Sequence, residues 1–244
     1  MADMTVGHSF DDFVPAPNQA DHRSLYEVEN RAIDPHGTLW RALEEAAPWH
    51  GRTLLDLGCG TGYWLPHYRD AAEVIGVEPD ARLLDSARAR SGGARVLYGS
   101  AERLPLDDDS IDVVHARFAY FFPHENFDPS PGLTEVARVL RPGGRLVVID
   151  NDTENGEFAE LLRASDWAEN QGQTPYSTRR WAERGAITTP LMSAWSFEDA
   201  ADCEAVLRIE FPSDVVDAWW RENGPIAELS YGYLLHLWTA PGTE

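Results

Sequence analysis

The sequence predicts an α/β protein with a doubly wound, mostly parallel seven-stranded sheet, helices on both faces and an antiparallel last strand. Short apolar segments alternate with helical patterns through residues 53–150, which is typical of a parallel sheet that is covered on both faces. A glycine-rich loop follows the first apolar segment. Near the end of the chain, apolar residues alternate from Leu229 to Leu237, which indicates one more strand.

The individual elements follow from local patterns. A helix is expected over Leu39–Ala47, since apolar residues recur at helical spacing and Pro48 follows them. Buried strands are expected at RTLLDL, AEVIGVE, ARVLYG, IDVVHA and RLVVID. Helices are expected over Thr61–Arg69, over Asp80–Arg90 with Asp80 as N-cap, and from Ser130 to the RPGG turn.

Beyond Asp150 the pattern is looser. A helix is expected around Phe158–Leu162, an irregular segment over Asn170–Tyr176, and a helix over Ser213–Glu222. Ser196 and Asp199 resemble a capping pair for another helix that runs through Leu207.

Charge and composition narrow the functional classes. The chain of 244 residues has 41 acidic and 20 basic residues, all of the latter arginine, for a net charge of −21. Such a charge repels nucleic acid and anionic membranes, so neither is an expected partner. We expect a soluble cytoplasmic protein, because no apolar run is long enough to span a bilayer and the first residues lack a signal-peptide pattern. Cys59 and Cys203 have no metal-ligand spacing, so no metal site is expected.

The glycine loop has an informative spacing. It reads Asp56-x-Gly58-x-Gly60-x-Gly62, whereas the dinucleotide fingerprint is G-x-G-x-x-G. A carboxylate beside the loop suits a ligand that carries an ammonium group and opposes a pyrophosphate. Glu78 ends the next strand, where its two oxygens can bind both hydroxyls of a ribose. These features predict S-adenosyl-L-methionine as the ligand.

Four motifs then occur in order: LLDLGCGTG, VIGVEPD, GSAERLPLDDDSIDVV and EVARVLRPGGRLVVID. With them, Leu54 to Asp150 resembles the class I S-adenosylmethionine-dependent methyltransferases, in the group that includes the ubiquinone and menaquinone enzymes. The resemblance implies a Rossmann-like methyltransferase fold and an enzyme that transfers a methyl group.

The resemblance also implies roles for individual residues. Asp56 would orient the methionine part of the cofactor and Glu78 would hold its ribose. Ser100 replaces the aspartate that is usual in the family, so that its contact with the adenine amino group is weaker. Tyr26 and Arg31 are candidates for closing over the cofactor carboxylate. The other residues expected to line the cofactor are Gly58, Gly60, Gly62, Pro79, Ala101, Glu102 and Arg117.

The acceptor is expected beside the segment HARFAYFFPHENF, residues 115–127. Related enzymes often read RFALHH where this chain reads RFAYFF, which favours an apolar, aromatic acceptor site. Tyr120, His124 and Asp150 are the candidate catalytic residues, with His124 the first choice as proton acceptor and His115 as an alternative. Trp181, Trp195, Trp219 and Trp220 either cover the acceptor or belong to the core.

Three functions stay open at this point. The first is methyl transfer to a small-molecule substrate, at oxygen or nitrogen, with a role in secondary metabolism. The others are methylation of a protein or tRNA and a non-catalytic, cofactor-binding subunit. The chain is divided into an arm or lid (1–37), the cofactor-binding core (38–150) and a remainder with an insertion over the acceptor site (151–244). A homodimer is one expected assembly.

Overall fold

The computed structural model describes Phe10 and residues 22–121, 128–165 and 174–242. Its seven strands are β1 (Thr53–Leu57), β2 (Glu73–Glu78), β3 (Arg95–Tyr98), β4 (Ile111–Arg117), β5 (Leu140–Asn151), β6 (Ile187–Ser196) and β7 (Glu228–Thr239). They form one sheet in the order β3-β2-β1-β4-β5-β7-β6.

Eight α-helices lie in the described ranges. They are α1 (Arg23–Ala32), α2 (Thr38–Ala46), α3 (Leu84–Arg90), α4 (Ser130–Val139), α5 (Glu157–Ala164), α6 (Thr174–Ala182), α7 (Ala200–Glu210) and α8 (Ser213–Asn223), with a 3₁₀ turn at Leu65–Tyr68. In these parts of the chain, no helix has the length and apolar character needed to cross a membrane.

The strand order reverses at β1, which pairs in parallel with both β2 and β4. Parallel sheets of this kind bind ligands in the crevice at the carboxyl ends of the strands on either side of such a switch point. β5 continues the parallel sheet next to β4, and β7 is antiparallel to both β5 and β6. The predicted fold class is therefore confirmed, including the antiparallel last strand.

Alternate residues of the central strands β1, β4 and β5 face two separate cores. On one face, Leu54, Val113 and Val147 pack with residues of α1, α2, α5, α7 and α8. On the other face, Leu55 and Val114 pack with residues of α4 and α6. The four tryptophans considered above belong to these cores: Trp181, Trp195 and Trp219 are buried, and Trp220 packs against one core half-buried.

Several predicted bounds were wrong. Only the turn at Leu65–Tyr68 is helical in the segment predicted as a helix over Thr61–Arg69, since its first part is the glycine loop. α3 begins at Leu84 rather than directly after Asp80, since residues 81–83 form a turn. The Asp80 carboxylate accepts a hydrogen bond from the backbone N–H of Arg82 in that turn.

The region after β5 also differs in detail from the prediction. Residues 174–176, expected to be irregular, open α6, while residues 170–173 lie outside the described ranges. Asp199 alone caps α7, through the N–H groups of Ala201 and Asp202. No segment of the sequence was assigned to β6, although seven strands were expected. This strand lies at the edge of the sheet and contains a proline.

Candidate cofactor and acceptor site

The glycine loop leaves β1 at the switch point, and its backbone is in contact with neighbouring elements. Gly58, Gly60 and Gly62 have φ of 77°, 56° and 76°, which side-chain-bearing residues adopt at a cost. A Cβ atom on Gly58 would lie 2.5 Å from Cβ of Ala119, and one on Gly62 would lie 2.7 Å from Cα of Ala87. The loop therefore requires glycine for both its conformation and its close packing.

Glu78, at the carboxyl end of β2, is bound to this loop. Its Oε2 accepts a hydrogen bond from the N–H of Gly60 at 2.7 Å, and its Oε1 accepts one from the N–H of Asp80 at 2.8 Å. Burial raises the pKa of Glu78 to about 7, although both hydrogen bonds oppose that shift. The carboxylate is thus held at the switch point, with each oxygen keeping a further lone pair for a ligand.

Asp56 faces an internal cation. Nη2 of Arg117, at the end of β4, donates to Oδ1 and Oδ2 of Asp56 at 2.9 and 2.8 Å. The Arg117 guanidinium carbon lies 5.2 Å from the ring centroid of Trp64 and 5.8 Å from that of Trp40. Burial raises the pKa of Asp56 even though the guanidinium opposes the change. The carboxylate expected to meet a cofactor ammonium is therefore compensated within the protein.

The residues expected at the adenine lie after β2 and β3. Pro79, Ser100 and Ala101 are buried, and Glu102 is half-buried. Oγ of Ser100 is buried and has no hydrogen-bond partner in the described parts of the chain. A buried hydroxyl without a partner is costly, and a ligand amino group at this position would satisfy it. The glycine loop and this hydroxyl together fit a nucleoside-containing cofactor.

Helix α1 lies over the glycine loop. The Tyr26 hydroxyl is 3.2 Å from the position that a Cβ atom on Gly60 would take. Glu27 accepts a hydrogen bond from the Thr61 hydroxyl at 3.1 Å and pairs with Arg90 at 2.5 Å. Arg31 is exposed, and no contact described for it reaches the loop.

The segment after β4 brings aromatic side chains to the same edge. Tyr120 is buried, and its ring lies 3.4 Å from the position of a Cβ atom on Gly58. Phe118 and Phe121 have φ of 49° and 69°, a strained conformation that is common at functional sites. His124 falls within residues 122–127, outside the described ranges.

Asp150 lies near the carboxyl end of β5 in a buried polar network. Its Oδ2 accepts a hydrogen bond from the Ser177 hydroxyl at 3.2 Å and lies 3.4 Å from Nε2 of His236. Ser177 is 3.2 Å from that nitrogen, and the Thr188 hydroxyl is 2.8 Å from Nδ1. Oδ1 of Asp150 is buried and has no hydrogen-bond partner in the described ranges.

Sequence reasoning did not find Ser177 or His236. The available signal was a histidine within the apolar alternation of β7, where it pairs with Val148 of β5 and faces the same side of the sheet as Asp150. His115 lies on the opposite face, with Nδ1 3.2 Å from the Tyr68 hydroxyl. Burial, together with the Arg117 charge, lowers the pKa of His115 to about 3.

A glycine loop at a switch point, an acid at the end of the next strand and a hydroxyl without a partner in the described ranges form a site that fits a nucleoside-containing cofactor. Residues 55–148 match the family model described as "Methyltransferase domain". Residues 55–148 thus form a methyltransferase domain, which confirms the resemblance to the class I S-adenosylmethionine-dependent methyltransferases predicted from the motifs.

Known proteins agree with this identification. A methyltransferase of Mycobacterium bovis, described as uncharacterized, is 40% identical over 123 residues, which cover 49% of each chain. The demethylmenaquinone methyltransferase of Deinococcus radiodurans is 36% identical over 150 residues, 57% of this chain and 61% of that protein. The crystal structure of the YcgJ protein from Bacillus subtilis has the same fold, with a TM-score of 0.59 at 19% identity over 85% of this chain and 100% of that one. The chain spans about half the length of the first of these relatives.

Proposed function

We propose that the protein transfers the methyl group of S-adenosyl-L-methionine to oxygen or nitrogen of a small molecule, with a role in secondary metabolism. The observation that carries the proposal is the contact between Gly58 and Tyr120. It joins the loop that fits the cofactor to the aromatic segment that would receive the acceptor. The cofactor supplies an activated methyl group on a sulfonium, so the protein has mainly to align the acceptor and exclude water.

The described residues offer a partner for each part of the cofactor. Glu78 would accept hydrogen bonds from the ribose hydroxyls, and Oγ of Ser100 would accept one from the adenine amino group. Nε of Arg117 is buried and has no partner in the described ranges, so it would donate to the carboxylate of the methionine part. Asp56 would then act through Arg117, whose guanidinium it orients.

Proton removal from the acceptor is assigned to Asp150, with Tyr120 and His124 as the other proposed participants. Oδ2 of Asp150 is held by the Ser177 hydroxyl, which leaves Oδ1 to take a proton. A consistent direction of donation runs from Thr188 to His236, from His236 to Ser177, and from Ser177 to Asp150. This chain of donors would hold the Asp150 carboxylate in a fixed orientation.

Entry of the cofactor is proposed to require movement of α1. Tyr26 lies against the glycine loop, and the ion pair of Glu27 with Arg90 is partly exposed. An ion pair of this kind contributes little to stability, so the first turns of α1 could leave the loop and return over the bound cofactor while Ala32 stays in the core. This supports residues 1–37 as an arm or lid in front of the cofactor-binding core.

A small-molecule acceptor is supported by two observations. The Deinococcus relative is named for a small-molecule substrate, demethylmenaquinone. The net charge of −21 opposes binding to nucleic acid or to an anionic membrane. The cytoplasm is the location proposed with this function.

The experiment is methyl transfer from labelled cofactor to three separate acceptor pools: a metabolite extract, total protein and tRNA. We expect label in the metabolite pool, with much less for Asp150→Asn, which keeps the shape but cannot take the proton. Label confined to protein or tRNA would replace the small-molecule proposal. Binding of the cofactor with no product in any pool would instead support a non-catalytic subunit.

A further inference from the structure

Helix α6 and the turn after it carry an excess of positive charge in a strongly acidic protein. Residues 174–184 contain three arginines and one glutamate, whereas the chain as a whole has a net charge of −21. A local excess of cations attracts anionic groups, and the attraction is stronger where apolar walls keep water away.

Two of these arginines line a small pocket between the start of α4 and α6. The pocket walls are Phe121, Pro129, Leu133, Arg180, Trp181 and Arg184. Trp181 is buried and meets the edge of Phe121, with ring centroids 6.5 Å apart and planes at 87°. The ring of Trp181 also stacks on His236, with centroids 5.3 Å apart. The pocket therefore has a rigid aromatic wall beside two guanidinium groups.

The cations of the pocket are not paired with carboxylates in the described ranges. Nε of Arg180 is buried and has no hydrogen-bond partner there, and Nη1 of Arg184 donates to the carbonyl oxygen of Arg180 at 2.9 Å. By contrast, Arg138 on α4 is paired with both Glu135 and Asp108. A buried donor without a partner is rare in folded proteins, and each guanidinium carries five donors.

The one described acid with an evident influence here is Asp128, at the start of α4. Hydrogen bonds from Ser130 lower the pKa of Asp128, and the charges of Arg184 and Arg180 add to the effect. Asp128 is exposed and its Oδ1 accepts a hydrogen bond from the N–H of Ser130 at 2.9 Å. Its carboxylate is bound at the start of the helix, and no ion pair joins it to Arg180 or Arg184 in the described parts of the chain.

The pocket shares Phe121 with the aromatic segment proposed to receive the acceptor. Phe121 follows Tyr120, and their ring centroids are 5.9 Å apart. Tyr120 in turn contacts the glycine loop at Gly58. The two arginines therefore lie next to the segment that joins the pocket to the glycine loop.

We infer that this pocket binds an anionic group, a carboxylate or a phosphate, of the molecule that the enzyme methylates. Arg180 and Arg184 bind the anion, and Phe121 and Trp181 contact the apolar part next to it. The inference rests on the proposed function for the identity of the ligand as acceptor. The anion site itself rests only on the pocket.

Fluorine NMR on the full chain, saturated with S-adenosylhomocysteine, tests the site with three probes that share a para-fluorophenyl ring. They are para-fluorobenzoate, para-fluorophenyl phosphate and the neutral para-fluorobenzyl alcohol. We expect the carboxylate, the phosphate or both to bind and the alcohol not to bind. The double variant Arg180→Gln/Arg184→Gln should weaken anion binding at least about tenfold, since charge-assisted hydrogen bonds are lost.

Arg179→Gln is the matched control, because Arg179 is exposed on the same helix and does not line the pocket. It should leave probe binding unchanged. Equal binding of the alcohol, equal loss in the control, or full binding by the double variant would each overturn the inference. Thermal unfolding and S-adenosylhomocysteine binding, followed in parallel, verify that the double variant is folded.

The labelled product of the metabolite assay gives a second readout. An anionic acceptor yields a product that an anion exchanger retains at neutral pH, and a neutral or cationic product would overturn the inference. If the wild-type chain failed to bind S-adenosylhomocysteine, the proposed function would fail. The probe comparison would then still decide whether the anion site exists.

Discussion

Arg117 binds both carboxylate oxygens of Asp56 through one nitrogen, Nη2, at 2.9 and 2.8 Å. The side chains are 9% and 1% exposed, so the pair is almost completely removed from water. It joins the ends of β4 and β1, the two strands that flank the switch point.

Removal of one member of this pair should destabilise the protein severely. Arg117→Gln leaves the Asp56 charge buried without compensation, and we expect a loss of about 3–5 kcal/mol in the free energy of unfolding. Adding Asp56→Asn should restore part of the lost free energy of unfolding. Urea unfolding of the single and double variants measures both effects.

The matched control is Arg141→Gln. Arg141 pairs with Asp112 at the same distance, 2.8 Å, but the side chains are 43% and 28% exposed. An exposed pair contributes about 1 kcal/mol or less. A similar loss for Arg117→Gln and Arg141→Gln would contradict the interpretation of the buried pair.

Glu78 should make the stability of the cofactor-free protein depend on pH. Burial raises its pKa from 4.5 to about 7, so the folded state resists ionisation that the unfolded state allows. Between these pH values the folded state holds more protons, and this group costs stability increasingly as the pH rises. The full cost above pH 7 is about 3 kcal/mol at 1.36 kcal/mol per pKa unit.

Glu78→Gln removes that cost. Relative to the wild type, the variant should gain stability from about pH 4.5 to about pH 7 and keep a constant advantage above it, while it binds the cofactor more weakly. Chemical denaturation at several pH values, with the exposed Glu45→Gln as control, measures the gain. An advantage that does not change with pH would show that Glu78 is not the titrating group.

Gly62 should not tolerate a side chain, because Cα and the carbonyl oxygen of Ala87 would lie 2.7 and 2.9 Å from the added Cβ, and both are backbone atoms that cannot move aside easily. Gly62→Ala should cost at least 1 kcal/mol more than Gly143→Ala and should abolish cofactor binding. Gly143 has a similar φ, 77° against 76°, but open space around it. The comparison separates the steric effect from backbone strain. Equal losses of stability in the two variants would refute the steric explanation.

Ser177 and Asp150 should be energetically coupled. Ser177→Ala removes a buried donor to the carboxylate and should cost about 1–3 kcal/mol, but much less in an Asp150→Asn background. A double-mutant cycle in urea measures the coupling, expected at about 0.5–3 kcal/mol. Additive losses would mean that the 3.2 Å contact contributes no stability.

The first half of the fold could be predicted from the sequence because its strands are continuously apolar and β1 to β5 all lie inside the sheet or pair in parallel. β6 shows the limit. As an edge strand it exposes Ile187 and Met192 and includes Pro190, so neither burial nor alternation marks it clearly.

The candidate site, like the fold, could be predicted only in part. Asp56, Glu78 and the glycines are close in sequence and form a recognisable spacing. Ser177 and His236 are 59 residues apart and meet Asp150 only because α6 packs on the face that β5 and β7 share. No local sequence pattern predicts that these side chains come together. The partner of Asp56 was equally hidden, since Arg117 is 61 residues away.

The position of β7 has a consequence for synthesis of the chain. β7 is the last described strand, yet it lies between β5 and β6. On the ribosome, β1 to β5 can pair in parallel as they emerge, and the glycine loop forms with them. Among the described strands β6 pairs with β7, and its other backbone contacts are the bridge of Trp195 to Ile33 and the bond from Asp34 to Ala194. Most of its hydrogen bonds therefore form only when the chain has been extended to residue 239. The cofactor half of the molecule can therefore fold well before the half that carries Ser177 and His236.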